Sequence, residues 1–236
     1  MLENNLKQIF ADISSGNNLG EPITLVGATK MVDVDTINKA VDLGLKVVAE
    51  NKVQEFNLKH SGIVGAKQHF IGHLQTNKVK YLVGKVDLIQ SVDSDKLASE
   101  IDRVAKNRNV KQNILIEVNI GGELSKSGFC LEKAFDSVIE ISNKYSNICV
   151  KGLMAMLPHT DDESLLVNLC QKMRELYDKL KENGMSIEYL SMGMSNDYKL
   201  AIKNGSNMIR LGSCIFGKRN YLEIKEETNG CIWFVW

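Results

Sequence analysis

Ile23-Thr24-Leu25-Val26-Gly27-Ala28-Thr29-Lys30 is a short apolar run that ends on a lysine, and it reads as a β-strand. Seven further runs of the same kind follow it, at Lys46–Ala49, Gln68–Ile71, Asp87–Ser91, Asn113–Val118, Ile148–Met154, Tyr189–Met192 and Met208–Leu211. Helical stripes lie between them. Leu97, Ile101, Val104 and Ala105 recur at helical spacing, as do Leu131, Ala134, Phe135, Val138 and Ile139. The longest stripe, about Asp162 to Glu182, carries Leu165, Leu166, Leu169, Met173, Leu176, Tyr177 and Leu180. Strands separated by helices pair in parallel through crossovers, because parallel neighbours cannot be joined by a tight hairpin. Eight such units in 236 residues predict a single-domain (β/α)₈ barrel spanning 1–236. Leu2, Leu6, Ile9, Phe10 and Ile13 add an extra N-terminal helix, and an open doubly wound sheet is the alternative fold.

The chain carries 29 basic and 29 acidic side chains, a net charge of zero, with 44% apolar and 25% charged residues. That composition belongs to a globular domain and gives no electrostatic drive towards nucleic acid or anionic lipid. No apolar run approaches the roughly 20 residues of a membrane helix, and the first residues lack the build of a secretory leader. Five widely spaced cysteines, Cys130, Cys149, Cys170, Cys214 and Cys231, form no Cys-x-x-Cys pair. Free thiols suit a reducing cytoplasm, so the expected location is cytoplasmic. His69 and His73 flank Phe70-Ile71-Gly72 and are read as structural; no metal is expected. The apolar tail from about 222, ending Cys231-Ile232-Trp233-Phe234-Val235-Trp236, is expected to pack on the barrel exterior.

Barrels of this kind place their sites at the C-terminal ends of the strands. The turn Ser191-Met192-Gly193-Met194-Ser195-Asn196-Asp197 leaves the seventh strand, and Arg210-Leu211-Gly212-Ser213 leaves the eighth. Ser195 is placed as a helix N-cap with free N–H groups beyond it, and Gly212 and Ser213 add N–H groups and a hydroxyl, together a candidate phosphate site. Gly212 to Lys218 also matches Gly-x₄-Gly-Lys, but Arg219 stands where a P-loop requires Ser or Thr, and the match is rejected. Lys30 at the barrel mouth could attack a carbonyl to form a Schiff base, or be a solvated lysine with no role. Arg210 could clamp an anion or join a structural ion pair.

Seven stretches in order resemble one known family. They are Val26-Gly27-Ala28-Thr29-Lys30, Glu50 to Glu55, His69 to Lys78, Val118-Asn119-Ile120 with Ser125 to Gly128, Gly152 to Met156, Leu190 to Ser195, and Ile209 to Gly217. Together they are similar to the YggS/PROSC family of pyridoxal-phosphate-binding homeostasis proteins, over about Leu2 to Tyr221. The resemblance implies a barrel like the N-terminal domain of alanine racemase, with pyridoxal 5′-phosphate held as an internal aldimine on Lys30. It implies that Ser195, Gly212 and Ser213 hold the phosphate, that Arg210 faces the pyridine nitrogen and that Asn51 lines the ring pocket. It further implies a monomer that stores, protects or delivers the cofactor, with apo forms of pyridoxal-phosphate enzymes as possible partners.

Arg210 is always a hydrogen-bond donor, so opposite a pyridine nitrogen it leaves that nitrogen unprotonated and the cofactor a weaker electron sink. Racemases of this fold also use an arginine, but they carry a β-rich second domain that helps place a tyrosine acid/base. The sequence runs about 15 residues past Tyr221, and no second proton-transfer group is evident in it. The expectation is therefore binding without robust catalysis. The alternatives are a weak pyridoxal-phosphate-dependent amino-acid racemase and, more remotely, a cofactor-free Schiff-base aldolase.

Overall fold

The computed structural model describes residues 1–123 and 127–217. Nine strands run in order as β1 (Thr24–Ala28), β2 (Val47–Glu50), β3 (Lys67–Phe70), β4 (Leu88–Val92), β5 (Gln112–Asn119), β6 (Phe129–Cys130), β7 (Ile148–Ala155), β8 (Tyr189–Ser191) and β9 (Met208–Leu211). All pair in parallel; β4 meets β5 and β9 returns to β1, so eight strands close a barrel, with the two-residue β6 riding beside β5. Closure leaves the eight barrel strands without a free edge among themselves and excludes the open-sheet alternative. Each of the eight apolar runs supplies one barrel strand.

Among the described residues eight α-helices accompany the strands: α1 (Leu2–Ile13), α2 (Val34–Asp42), α3 (Val53–Lys59), α4 (Asp95–Asn107), α5 (Leu131–Lys144), α6 (Glu163–Glu182), α7 (Tyr198–Lys203) and α8 (Ser213–Phe216). The crossover from β3 to β4 is a 3₁₀ segment, Thr76–Tyr81, rather than an α-helix. Where caps form, the sequence supplies them. Ser94 Oγ accepts from the Leu97 N–H at 3.3 Å to open α4, and Asp162 Oδ1 accepts from the Leu165 N–H at 3.0 Å to open α6.

The α4 stripe is buried in full, and α6 buries Leu166, Leu169, Met173, Leu176, Tyr177 and Leu180 against the sheet. Each such aliphatic side chain contributes about 2 kcal/mol over its exposed state. Leu165 departs from the expected stripe: it sits in the first turn of α6 and is 42% exposed. Inside the barrel, Val26, Val47, Ala49, Leu88, Leu115, Met154 and Met208 fill the lumen, so the barrel is packed rather than hollow. The extra helix α1 buries Leu6 and Ile9 in the same cluster as Ile215 of α8, and the Asn5 amide donates to the Ile215 carbonyl at 2.9 Å. The apolar tail, Tyr221, Ser125 with Lys126, and Lys218 with Arg219 lie outside the described residues.

Candidate functional site

At the C-terminal ends of the strands a cavity of about 930 Å³ opens, lined by Lys30, Asn51, Ser195, Arg210, Gly212 and Ser213 together with the loop after β7. Residues 180 positions apart in the chain meet here because β1 and β9 are hydrogen-bonded neighbours, with Val26 opposite Arg210. Lys30 lies two residues past β1, and among the described residues its Nζ has no hydrogen-bond or ion-pair partner. Asn51 follows β2. Its carbonyl passes so close to Gly72, after β3, that a Cβ there would lie 1.9 Å from the oxygen, so only glycine lets the two loops stack.

The two turns after β8 and β9 form one cradle. Gly193 bends the first of them at φ +99°, and a Cβ at this position would meet Tyr198 and Ala201 at 2.9 Å. Ser195 does not cap the helix it enters, contrary to the sequence expectation. Asp197 immediately precedes α7, and its carboxylate folds back to accept from the Met194 N–H. The Ser195 hydroxyl instead accepts from the Cys214 N–H across the cradle at 3.4 Å, at the start of α8. The reason is that the turn needs three more residues before helical geometry begins, which leaves Ser195 free to join the two loops. Among the described residues, the N–H groups of Ser195, Asn196 and Ser213 donate to no protein atom. With the hydroxyls of Ser195 and Ser213 they make a neutral donor set suited to a phosphate group.

Arg210 points into the lumen and is 4% exposed. Its Nη1 donates to the Ser191 carbonyl at 2.9 Å and to Ser191 Oγ at 2.7 Å, and Nη2 donates to the Ala155 carbonyl at 3.0 Å. Burial pushes its pKa down to about 10, so it stays charged at neutral pH. A guanidinium only donates, and that polarity propagates. Ser191 Oγ, having accepted, donates to Gln90 Oε1 at 2.8 Å, and Gln90 Nε2 meets His69 Nδ1 at 3.0 Å. The His69 proton is thereby assigned to Nε2. Burial, with Lys67 nearby, lowers the His69 pKa to about 3 and keeps the ring neutral.

Glu117 on β5 faces the same interior. Burial and the neighbouring Asp93 carboxylate raise its pKa to about 7, while Arg210 acts in the opposite direction. Asp93 pairs with exposed His73 at 3.2 Å. Sequence reading gave no role to Ser191, Gln90, Glu117, Glu50, Glu55 or Lys59. A carboxylate inside an apolar strand, as at Glu117, is the one signal that could have marked them; the rest acquire meaning only through contacts between distant strands.

The family profile described as alanine racemase, N-terminal domain, matches residues 21–220. The pyridoxal phosphate homeostasis protein of Aquifex aeolicus is 42% identical over 203 residues, covering 84% of this chain and 87% of that one. The structure of PipY from Synechococcus elongatus with pyridoxal phosphate bound is similar at a TM-score of 0.80 and 25% identity, over 92% of this chain and 100% of that one. Alanine racemase of Clostridium difficile shares the fold at a TM-score of 0.75 and 17% identity, over 92% of this chain and 59% of that longer one.

Proposed function

The chain belongs to the family of pyridoxal phosphate homeostasis proteins, and from that premise we propose that it holds pyridoxal 5′-phosphate at the C-terminal mouth of its barrel. Lys30 is the amine that joins the aldehyde as a Schiff base. The Ser195, Asn196 and Ser213 N–H groups and the two serine hydroxyls take the phosphate, with Gly212 leaving room for its approach. Arg210 presents a fixed donor to the pyridine nitrogen, and Asn51 lines the ring. The observation that carries this reading is the pairing of one unpartnered amine, Lys30, with an uncharged donor cradle across a single cavity. Two chemically different ends match the two ends of a phosphorylated aldehyde.

When bound, the cofactor supplies a reactive aldehyde and, once joined to an amine, an electron sink. Arg210 limits the second property, because an obligate donor cannot protonate the ring nitrogen. The residues therefore favour retention over turnover, and the role is storage, protection or delivery of the cofactor to apoenzymes by a cytoplasmic monomer.

The test is the near-ultraviolet and visible spectrum of the protein incubated with pyridoxal phosphate, wild type beside Lys30→Ala. A yellow band in the wild type alone, with borohydride fixing the adduct on Lys30, is the expected result. A colourless wild type, or an adduct on another lysine, removes the assignment.

A further inference from the structure

Lys30 occupies the second position of a tight turn. The Val32 N–H donates to the Thr29 carbonyl at 2.9 Å, and Met31, at the third position, has φ +60°. A positive φ there is ordinarily supplied by glycine, and with any other residue the turn tends to relax by flipping its central peptide, the one joining positions two and three. In this turn that is the Lys30–Met31 peptide. A flip would change ψ of Lys30 and φ of Met31 and turn the Met31 N–H away from its acceptor, and the loosened turn would no longer fix the backbone position from which the lysine side chain reaches the cavity.

One charged cluster grips both peptide groups beside the Lys30 Cα. On one side, Lys59 Nζ donates to the Thr29 carbonyl at 2.9 Å. On the other, the Met31 N–H donates to Glu55 Oε2 at 2.8 Å. The two grips are joined, since Lys59 Nζ also donates to Glu55 Oε2 at 3.0 Å and to Glu50 Oε1 at 2.8 Å. The three protons of the ammonium thus meet three acceptors, from the end of β1, the end of β2 and helix α3. Thr29 completes the cluster: its hydroxyl donates to Glu50 Oε1 at 2.7 Å and its N–H to the Ala49 carbonyl at 2.9 Å. Glu50 and Lys59 are 3% and 13% exposed, so water competes little for these bonds.

We propose that Glu55 and Lys59 are positioning residues for Lys30: they lock the Lys30–Met31 peptide in its left-handed turn and so aim the amine at the cofactor aldehyde. The proposal rests on the cofactor reading above and adds to it residues that do not line the cavity. Glu55 is the stronger probe, because glutamine at this position keeps an acceptor for the Met31 N–H while losing the charge. If orientation is what matters, Glu55→Gln retains function and Glu55→Ala does not.

The experiment compares wild type, Glu55→Ala, Glu55→Gln and Lys59→Met as full chains in two arms. The first needs no cofactor and reads amide hydrogen exchange at Met31. Glu55→Ala is expected to exchange about 100-fold faster than wild type as the turn opens, and Glu55→Gln to stay within about threefold. The second arm follows the rate of the yellow band with pyridoxal phosphate, beside the affinity for pyridoxine 5′-phosphate, which carries the phosphate but no aldehyde. In Glu55→Ala the band should form at least about tenfold more slowly, with the affinity for the alcohol analogue changed less than about twofold. Lys59→Met should follow Glu55→Ala if it folds; the Glu55 pair decides the matter if it does not. Unchanged exchange in Glu55→Ala, or faster exchange with an unchanged capture rate, overturns the proposal. So does an equal loss of capture and analogue affinity, which would mean the whole mouth has shifted. A wild type that forms no adduct on Lys30 fails the cofactor reading instead, and the exchange arm still decides whether the turn is tethered.

Discussion

The barrel has a cavity at each mouth, and the two are of similar size but different chemistry. The N-terminal mouth encloses about 730 Å³, against about 930 Å³ at the C-terminal mouth. Lys46, Lys67 and Lys151 ring the former beside Asp87 and Glu188, yet the carboxylates are already engaged: Glu188 pairs with Lys151 at 2.6 Å, and Asp87 accepts from the Gln68 N–H at 2.7 Å. Lys46 and Lys67, like Lys30 at the C-terminal mouth, have no hydrogen-bond or ion-pair partner among the described residues, so a lone amine does not separate the two. At the C-terminal mouth the amine shares its cavity with the unpaired N–H groups of the Ser195 and Ser213 cradle, and Glu50, Glu55 and Lys59 behind it are tied to one another. Neither size nor a lone amine distinguishes a site from a crevice; a convergent set of unused donors held from behind does.

The contrast breaks most visibly at Arg210. Arg210→Met strips donors from the Ser191 and Ala155 carbonyls and opens the buried chain to Gln90 and His69. We expect a loss of about 4 kcal/mol in urea unfolding at neutral pH. A loss below about 1 kcal/mol would mean the lumen chain is not held by the guanidinium.

Glu117 comes next, through pH. Its folded pKa, about 7, lies above the ordinary 4.5. The carboxyl therefore costs nothing below about pH 4.5, where both folded and unfolded forms are protonated, destabilises the fold increasingly as pH rises from about 4.5 to about 7, and costs a constant amount above that. Glu117→Gln should be more stable than wild type by about 3 kcal/mol at pH 8 and close to it at pH 4. Urea unfolding at both pH values checks this, and a pH-independent difference would refute it.

A smaller effect is expected at the cradle. Gly193→Ala imposes a side chain at φ +99° against Tyr198, costing about 2 kcal/mol and weakening inorganic phosphate binding by isothermal titration. The opposite mouth should be nearly silent. Lys46→Ala and Lys67→Ala should alter stability by less than about 0.5 kcal/mol and leave the cofactor spectrum unchanged. A lost yellow band in either would erase the distinction between the mouths.

The barrel was legible in the sequence because each strand is a local apolar run and each helix a local stripe; only Leu165, in the first turn of α6, stands exposed out of its stripe. The six residues proposed for the cofactor line one cavity; turn chemistry singled out Ser195, Gly212 and Ser213 and strand ends Lys30 and Arg210, whereas Asn51 gained a ring-pocket role only from the family resemblance. Ser195 shows the limit of that reading. A serine before a helix suggests a cap, but which N–H its hydroxyl meets depends on a loop nineteen residues later, Cys214 after β9.

Local pattern, then, determined the element order, the closed parallel fold and which residues stand at the barrel mouth, because hydrophobic period and turn chemistry act over a few residues. Tertiary structure alone decided what stands behind them. The clamp of Glu50, Glu55 and Lys59 on the Lys30 turn, and the donor chain from Arg210 through Ser191 and Gln90 to His69, join elements that are neighbours only once the strands pair. The physical reason is range: a hydrogen bond acts over about 3 Å, and only closure of the barrel brings β1, β2, β3, β4, β8 and β9 within that distance of shared partners.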